Sequence, residues 1–417
     1  MKEKCIDLNG FKLHMIKTKK FKSISFKLSF RNNLNKEDIT IRNALTDYLE
    51  YSCNKYKTSK EMNIKMQDLY GINVYPNTMR YGNVVVTDFT CSILNPKYTE
   101  NGMLEESIKF FSDVILDPNC RDDGFDDDIL KLILDRYKNT ILSVKNSPSF
   151  YAGLRLNEMI TDLPSSYRMI GYIEDLEKIN SKNIYEYYKK FISEAVIDLY
   201  VIGDFNYEKM TRLVDKYFSF NPKNIDIKDY NLDVISNKSE VLLKQEETKN
   251  NQTCLAIGCL VNNINPIERE YIATLYSIIL GNSPEAKLFM NVREKKSLAY
   301  TISSSFKRTD GILLISSGIS YEHYEQALSA IKEEIDNMKN KISFAELNNA
   351  KKLYISVLKE TYEYRLSILE YFYQMEYFDA PDINSAIEMV KNITFNDIYE
   401  FAKKVYIDSI FVLKEGE

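Results

Sequence analysis

The chain has 417 residues, of which 44% are hydrophobic and 28% are charged, and its formal net charge is −5. This length suits two to four domains with sizeable cores. The negative charge argues against a nucleic-acid partner and against an anionic membrane surface. The longest apolar run, near residues 272–280, is far shorter than the ~20 residues that a membrane-spanning helix needs. We therefore expect no nucleic-acid partner and no membrane partner.

The N-terminus and the cysteines predict a cytoplasmic protein. The segment from Met1 to Asp7 lacks the apolar core of a secretory signal. The six cysteines are scattered and form no Cys-x-x-Cys pair, a pattern typical of buried, reduced thiols. The basic run from Lys17 to Lys22 is short, and we interpret it as a solvated strand edge or loop rather than a binding patch.

The first predicted elements are a strand from Ser23 to Phe30 and a helix from Ile41 to Ser52. The helix carries apolar residues at helical spacing, which are Ile41, Ala44, Leu45, Tyr48 and Leu49. Asp47, Glu50 and Tyr51 lie outside this stripe. Acidic residues beside an apolar stripe usually form a solvated helix face, and we favour that interpretation for Asp47 and Glu50.

The chain contains an internal duplication. Arg31 to Asn35 corresponds to Val261 to Asn265, a shift of 230 residues (from 31 to 261), which also places Tyr70 on Tyr300. A later match relates the segments 183–190 and 397–404. Each half reads as a strand, an amphipathic helix, β-branched strands, at least two helices and a final strand. In the first half the later strands are Val84 to Ile93 and Val196 to Ile202. In the second half the strands are Thr253 to Val261, Ile312 to Ile319 and Ile407 to Leu413.

This order of elements predicts an α+β fold of two homologous halves. Strands and helices that run in blocks, rather than in strict alternation, favour a mostly antiparallel sheet with helices packed on one face. We predict an N-terminal half at residues 1–220, a linker rich in Asn, Asp and Lys at 221–240, and a C-terminal half at 241–417.

The most informative segment runs from Ile279 to Ser305, and its centre, residues 288–300, reads Leu-Phe-Met-Asn-Val-Arg-Glu-Lys-Lys-Ser-Leu-Ala-Tyr. It resembles the arginine/tyrosine motif of the pitrilysin/insulinase-type zinc peptidases. In that family the two residues bind peptide substrate opposite the zinc, which assigns Arg293 and Tyr300 to substrate binding and catalysis. The structural alternatives are an arginine that pairs with an acid or carbonyls at a helix end, and a core tyrosine with a tethered hydroxyl. The length of the matching run favours the functional interpretation.

Two neighbouring segments complete the predicted substrate site. Gly281, Asn282 and Ser283 occupy the position where members of the family often carry a glycine-rich loop, so the resemblance makes them substrate-binding candidates. A simple turn between helices is an equally good interpretation. Ser303 to Ser305 are expected to continue a strand at a sheet edge, to which an extended peptide adds by backbone hydrogen bonds.

The zinc motif of the family is degenerate in this chain. Where the family has His-x-x-Glu-His on one helix, this chain has Asp47-Tyr48-Leu49-Glu50-Tyr51, and no Glu lies between Glu106 and Glu158 to act as a third ligand. Tyrosine binds a metal only as the phenolate, which is scarce at neutral pH. The resemblance therefore implies a degenerate zinc site at Asp47, Glu50 and Tyr51, with no metal or other cofactor in this chain.

The leading hypothesis is a non-zinc subunit of a heterodimeric zinc metalloendopeptidase, inactive alone. The expected partner is a relative that carries His-x-x-Glu-His and zinc, and the substrate is a peptide that is cleaved or matured. The resemblance implies that two such chains close like a clam shell, with Arg293 and Tyr300 acting in trans to the partner's zinc. The alternative is a non-proteolytic peptide-binding scaffold or an accessory protein for another modifying enzyme. A stand-alone peptidase without zinc is a poor fit, because the chain has two histidines and no Gly-x-Ser-x-Gly elbow.

Overall fold

The computed structural model describes residues 1–232, 234–236, 238–249 and 252–416. They form two compact units, and neither unit is continuous in sequence. Unit 1 consists of Met1–Leu142, Met169–Asp229 and Tyr362–Tyr373, and unit 2 consists of Ser143–Arg168, Tyr230–Thr361 and Gln374–Glu417. Each unit thus includes one segment from the opposite half of the sequence. The boundaries at 220 and 241, which describe the sequence repeat, stay a prediction.

The strands are β1 (Glu3–Leu8), β2 (Phe11–Lys17), β3 (Ser23–Asn33), β4 (Val74–Tyr81), β5 (Val84–Leu94), β6 (Cys120–Arg121), β7 (Gly124–Phe125), β8 (Val196–Gly203), β9 (Leu242–Thr248), β10 (Thr253–Val261), β11 (Thr301–Lys307), β12 (Ile312–Ile319) and β13 (Val405–Glu415). The helices are α1 (Asp38–Tyr51), α2 (Ser59–Asp68), α3 (Met103–Leu116), α4 (Asp127–Ser143), α5 (Pro148–Ile160), α6 (Ile173–Leu176), α7 (Ser181–Ser193), α8 (Tyr207–Tyr217), α9 (Ala273–Leu280), α10 (Tyr324–Asn337), α11 (Phe344–Glu360), α12 (Arg365–Tyr377), α13 (Ile383–Asn392) and α14 (Phe395–Lys404). Two further segments, Glu268–Ile272 and Leu288–Lys295, are π-helical.

The two units repeat one sheet topology. Unit 1 contains a six-stranded sheet in the order β1-β2-β8-β3-β5-β4, and unit 2 a five-stranded sheet in the order β11-β12-β10-β13-β9. Read in the opposite direction, the second order matches the first from β2 onward. In each sheet one pair is parallel, β2 with β8 and β9 with β13, and the other pairs are antiparallel. The predicted α+β fold of two homologous, mostly antiparallel halves is confirmed.

Alternation along the strands places the core on one face of each sheet. Residues of β3 with even numbers from Ile24 to Phe30 point into the larger core of unit 1, where α1, α3 and α7 cover them. In unit 2 the odd-numbered residues of β10, Leu255 and Ile257 among them, pack against α9, α10 and α14. Both predicted strands Thr253–Val261 and Ile312–Ile319 match the observed bounds residue for residue. These strands could be predicted from sequence because each is a short run of strand length made of mostly apolar residues, several of them β-branched.

The opposite face of each sheet is also covered, by one helical segment each. In unit 2, Ala152, Leu156 and Ile160 of α5 pack on the even-numbered residues of β10 and on β13. In unit 1, Tyr362–Tyr373, which includes the first part of α12, lies on the corresponding face of β3 through Glu370 and Tyr373. The sequence predicted helices on one face, and the structure adds one on the other. In the part of the chain that the structure describes, no helix is long and apolar enough to cross a membrane.

Candidate functional site

Arg293 lies in the π-helical segment Leu288–Lys295, which follows α9 in unit 2. Segments of this kind are rare and occur often at functional sites. Leu288 and Val292 are fully buried and anchor the segment, while the Arg293 side chain keeps 40% of its surface exposed. Its guanidinium carbon lies 4.5 Å from the centre of the Phe289 ring, and its Nε lies 3.6 Å from Glu294 Oε1. An exposed ion pair at that distance contributes little, so the guanidinium stays available to a ligand.

Tyr300 stands directly before the edge strand β11 and is 64% exposed. Its backbone N–H donates to Gly318 O at 2.8 Å, which fixes the main chain beside β12. The hydroxyl makes no hydrogen bond with any other residue that the structure describes. The alternative of a core tyrosine with a tethered hydroxyl is therefore wrong. The role assigned to Tyr300 by the resemblance remains a prediction.

The equivalent tyrosine of unit 1 behaves differently. Tyr70, which the repeat aligns with Tyr300, is 47% exposed and donates its hydroxyl to Glu100 Oε2 at 2.5 Å. This hydrogen bond also raises the pKa of Tyr70 above its ordinary value. Of the two tyrosines that the sequence repeat aligns, Tyr70 thus has a committed hydroxyl and Tyr300 an uncommitted one.

Strand β11 is the free edge of the five-stranded sheet, and the predicted continuation of a strand through Ser303–Ser305 is confirmed. Its counterpart at the edge of unit 1, β4, contains Pro76. Proline has no N–H, so an added peptide finds one donor fewer along β4 than along β11. Of these two edges, β11 is therefore the better template for an extended peptide.

Gly281, Asn282 and Ser283 form a tight turn after α9. The N–H groups of Gly281 and Asn282 both donate to Ser277 O at 2.9 Å, and Ser283 Oγ donates to Ile278 O at 3.3 Å. Gly281 has φ −158° and ψ 2°, which is outside the left-handed region that favours glycine. A Cβ at this position would lie 2.8 Å from Ser304 N. The glycine lets α9 approach β11, and the observed geometry is that of a turn between helices.

A cleft of about 420 Å³ opens beside this turn, and the sequence did not reveal it. Ile278, Pro284 and Leu353 form apolar walls, and Ser283 and Asn349 contribute polar groups. One wall belongs to α11, which begins more than 60 residues after the turn, so no local pattern signals the contact. Among the predicted substrate-binding residues of this turn, Ser283 lines the cleft, whereas Gly281 is buried.

In unit 1, Asp47, Glu50 and Tyr51 line a polar pocket of about 230 Å³ together with Arg136 of α4. Asp47 is partly buried, so the predicted solvated helix face is wrong for this residue. Burial raises the pKa of Asp47, and the charge of Arg136 works against that rise. Burial likewise raises the pKa of the more exposed Glu50, with a further rise from the negative charge of Asp47. Arg136 escaped the sequence analysis because it lies on another helix, 85 residues beyond Tyr51 (from 51 to 136).

These residues do not fit a zinc ion. Zinc sites in proteins use nitrogen, sulfur and carboxylate ligands in a tetrahedral set. Here the carboxylates of Asp47 and Glu50 share a pocket with the guanidinium of Arg136. The positive charge of Arg136 offsets their negative charge, as a metal ion would in a zinc site. Among the described residues, no group of three or more His, Cys, Asp and Glu side chains is arranged to hold a metal ion. We therefore derive no chemical step from a metal at this pocket.

Comparison with known proteins agrees with this geometry. Residues 178–354 match the family described as "Peptidase M16 inactive domain". The chain is 28% identical to "Probable inactive metalloprotease YmfF" of Bacillus subtilis (strain 168), over 98% of this chain and 96% of that protein. A conserved protein from Enterococcus faecalis V583 has a similar crystal structure, with a TM-score of 0.92 and 24% identity over 100% of this chain and 99% of that one. A peptidase M16 inactive domain from Pseudomonas fluorescens superposes with a TM-score of 0.79 and 17% identity, over 100% of this chain and 98% of that one.

These matches confirm the resemblance to the pitrilysin-type peptidases that the sequence predicted. The chain is similar over residues 178–354 to the inactive domain of the M16 peptidases, and over nearly its full length to a relative described as a probable inactive metalloprotease. The altered zinc motif at Asp47, Glu50 and Tyr51 is in keeping with that relationship.

Proposed function

We propose that this chain is the non-zinc subunit of a heterodimeric zinc metallopeptidase and that it supplies substrate-binding groups to a partner's active site. The observation that carries the proposal is the state of Tyr300, which is 64% exposed beside a free strand edge and has an uncommitted hydroxyl. A tyrosine whose backbone is fixed and whose exposed hydroxyl has no hydrogen-bond partner among the described residues is expected to bind a ligand.

Each group has a definite chemical task in this proposal. The edge of β11 binds the peptide backbone by strand addition. Arg293 donates to substrate carbonyl oxygens through the several N–H groups of its planar guanidinium. The Tyr300 hydroxyl donates to the oxyanion that develops as water adds to the scissile peptide, an interaction worth roughly 3 kcal/mol in the transition state. The degenerate pocket around Asp47 and Arg136 takes no part in this chemistry. The zinc and the activated water belong to the partner, a relative with an intact His-x-x-Glu-His helix.

The test is cleavage of a quenched fluorescent peptide library by this chain alone and by this chain mixed with its zinc-bearing relative. We expect activity only in the mixture, and loss of that activity on addition of a chelator. Co-purification without activity in the mixture would favour the alternative, a peptide-binding scaffold, for which tight peptide binding by this chain alone is the positive sign.

Tyr300→Phe tests the assigned role within the active pair. The variant is expected to lower kcat by about 100-fold, because it removes one oxyanion donor, and to leave assembly of the pair unchanged. Tyr70→Phe is the matched control, since it removes the hydroxyl of the tyrosine that the sequence repeat aligns with Tyr300 and that is tied to Glu100 in unit 1. Full activity of Tyr300→Phe, or equal losses in both variants, would show that the assignment is wrong.

A further inference from the structure

A cleft of about 310 Å³ on unit 1 brings lysines from three elements together. Lys17 ends β2, Lys97 lies in the helical turn Pro96–Tyr98, and Lys209 is in the first turn of α8. All three are exposed, and Leu104, Phe205 and Met210 form a buried apolar floor between them. We call this arrangement the lysine cleft. It does not include any residue of the Arg293 and Tyr300 site, and it does not depend on the function proposed for that site.

The charge of the lysine cleft is poorly compensated. Asp204 is the one acid among the described residues that line it, and Asp204 is already paired with Lys97. The hydrogen bond from Lys97 lowers the pKa of Asp204, and the nearby charges of Lys19 and Lys17 act in the same direction. Lys17, Lys19 and Lys209 make no ion pair with any described residue.

A second group of contacts concentrates positive charge at the same rim. The ammonium groups of Lys4 and Lys17 both approach the Tyr207 ring, at 5.4 and 5.5 Å from its centre. Like charges held around one ring repel each other unless an anion lies nearby. This concentration stands out in a chain whose net charge is −5.

The fold does not require these lysines. In unit 2 the strand equivalent to β2 is β9, which has the same parallel partner at the same place in its sheet. The repeat aligns Lys17 with Glu247, and β9 also carries Glu246. Since the same strand is acidic in one unit and basic in the other, the basic charge at the end of β2 is a property of unit 1 and not of the topology.

We propose that the lysine cleft binds an acidic segment of a peptide or partner protein, with one apolar side chain seated on the cleft floor between flanking carboxylates. The lysine rim attracts the acidic groups and orients the segment, while burial of the apolar side chain adds affinity. A nucleic-acid backbone has no apolar group for the floor, and the net charge of the whole chain repels a long polyanion.

The test uses fluorescence anisotropy with the full chain and a labelled peptide in which one leucine lies between pairs of Asp and Glu. We expect saturable binding that weakens by about tenfold in the double variant Lys17→Gln/Lys209→Gln. It should also weaken as sodium chloride rises from about 0.05 M to about 0.3 M, because the rim charges are exposed and screened by salt. A peptide with serine in place of leucine should bind more weakly than the parent.

Lys182→Gln/Lys189→Gln is the matched control, because these two lysines are exposed on α7 of the same unit and outside the cleft. It removes the same total charge, and its affinity should match that of the unchanged chain. Since all four lysines are exposed, folding is expected to survive, and circular dichroism checks this. The proposal is overturned by absence of peptide binding, by equal losses in the two double variants, or by tighter binding of a single-stranded oligonucleotide or of phosphatidylserine vesicles than of the peptide.

Discussion

The two sheets share one topology and differ in how their second faces are buried. In unit 2, α5 covers an apolar face made of Cys254, Ala256, Leu260, Ile312, Phe411 and Leu413. In unit 1 the segment Tyr362–Tyr373 covers a polar face that includes His14, Ser25, Lys27, Ser29, Arg31, Asp88 and Asp198, all of them buried. The same sheet topology can therefore bury either an apolar face, as in unit 2, or a polar face, as in unit 1, provided that every charge on the polar face has a partner.

The partners on the polar face are specific. Lys27 Nζ donates to Glu370 Oε2 at 2.5 Å, lies 3.3 Å from Asp88 Oδ2 and is 4.6 Å from the centre of the Tyr373 ring. Burial by itself would lower the pKa of Lys27, but the charges of Asp88 and Glu370 outweigh burial and raise it. The apolar face, in contrast, is covered by side chains such as Leu156 and Ile160, which have no polar group to place.

Lys27→Met is expected to have the largest effect of the changes that test this comparison. It leaves the buried Asp88 and the partly exposed Glu370 facing each other without their cation, which should lower the free energy of unfolding by about 3–5 kcal/mol. Denaturant unfolding at neutral pH measures it, and Lys22→Met, at an exposed lysine, is the control. A loss below about 1 kcal/mol would mean that the polar face is held by packing rather than by its ion pairs.

The second largest effect should be a pH dependence of the free energy of unfolding that arises from His14 in unit 1. Burial tends to lower the pKa of His14, but hydrogen bonds to Asp198 and Glu3 outweigh it and raise this pKa to about 9. The folded pKa lies above that of an unfolded histidine, about 6.5. The stabilising contribution of charged His14 is therefore complete below pH ~6.5 and is lost as the pH rises through about 9.

Denaturant unfolding between pH 6 and 10 should show this loss, on the order of 3 kcal/mol. His14→Gln should flatten the profile, whereas His323→Gln, at an exposed histidine, should keep it. A profile for His14→Gln as steep as that of the unchanged chain would place the titrating group elsewhere.

Gly258→Ala tests the apolar face and should have the smallest effect. The added Cβ would lie 2.5 Å from Ile160 Cδ1, the far end of a side chain that can move. We expect a loss of about 1–2 kcal/mol from overpacking, with no change in the pH profile. Ile160→Val in the same chain should recover part of the loss, because it shortens the clashing side chain. If Gly258→Ala alters the pH profile, the two faces are not independent.

The sequence was sufficient for whatever depends on local pattern. Strands such as Thr253–Val261 and the helix that carries Asp47 and Glu50 follow from the spacing of apolar residues, because side chains alternate along a strand and recur every three or four residues along a helix. The repeat that relates Tyr70 to Tyr300 follows from matching segments at a fixed shift along the chain. The family resemblance of residues 279–305 could also be recognised from sequence, since the motif consists of consecutive residues. The apolar stripe Ala152, Leu156 and Ile160 shows that α5 buries one side, but not which sheet it covers.

Only the tertiary structure decided which distant residues meet. It placed α5 on the sheet of unit 2 and Tyr362–Tyr373 on the sheet of unit 1, and it brought Arg136 to the pocket of Asp47. It left the Tyr300 hydroxyl uncommitted while it tied that of Tyr70 to Glu100. It also placed Lys17, the first residue of a short basic run interpreted from sequence as a solvated strand edge or loop, in one cleft with Lys97 and Lys209. Such contacts join residues far apart in the chain, and no local spacing encodes them, because they form only when whole helices and sheets pack.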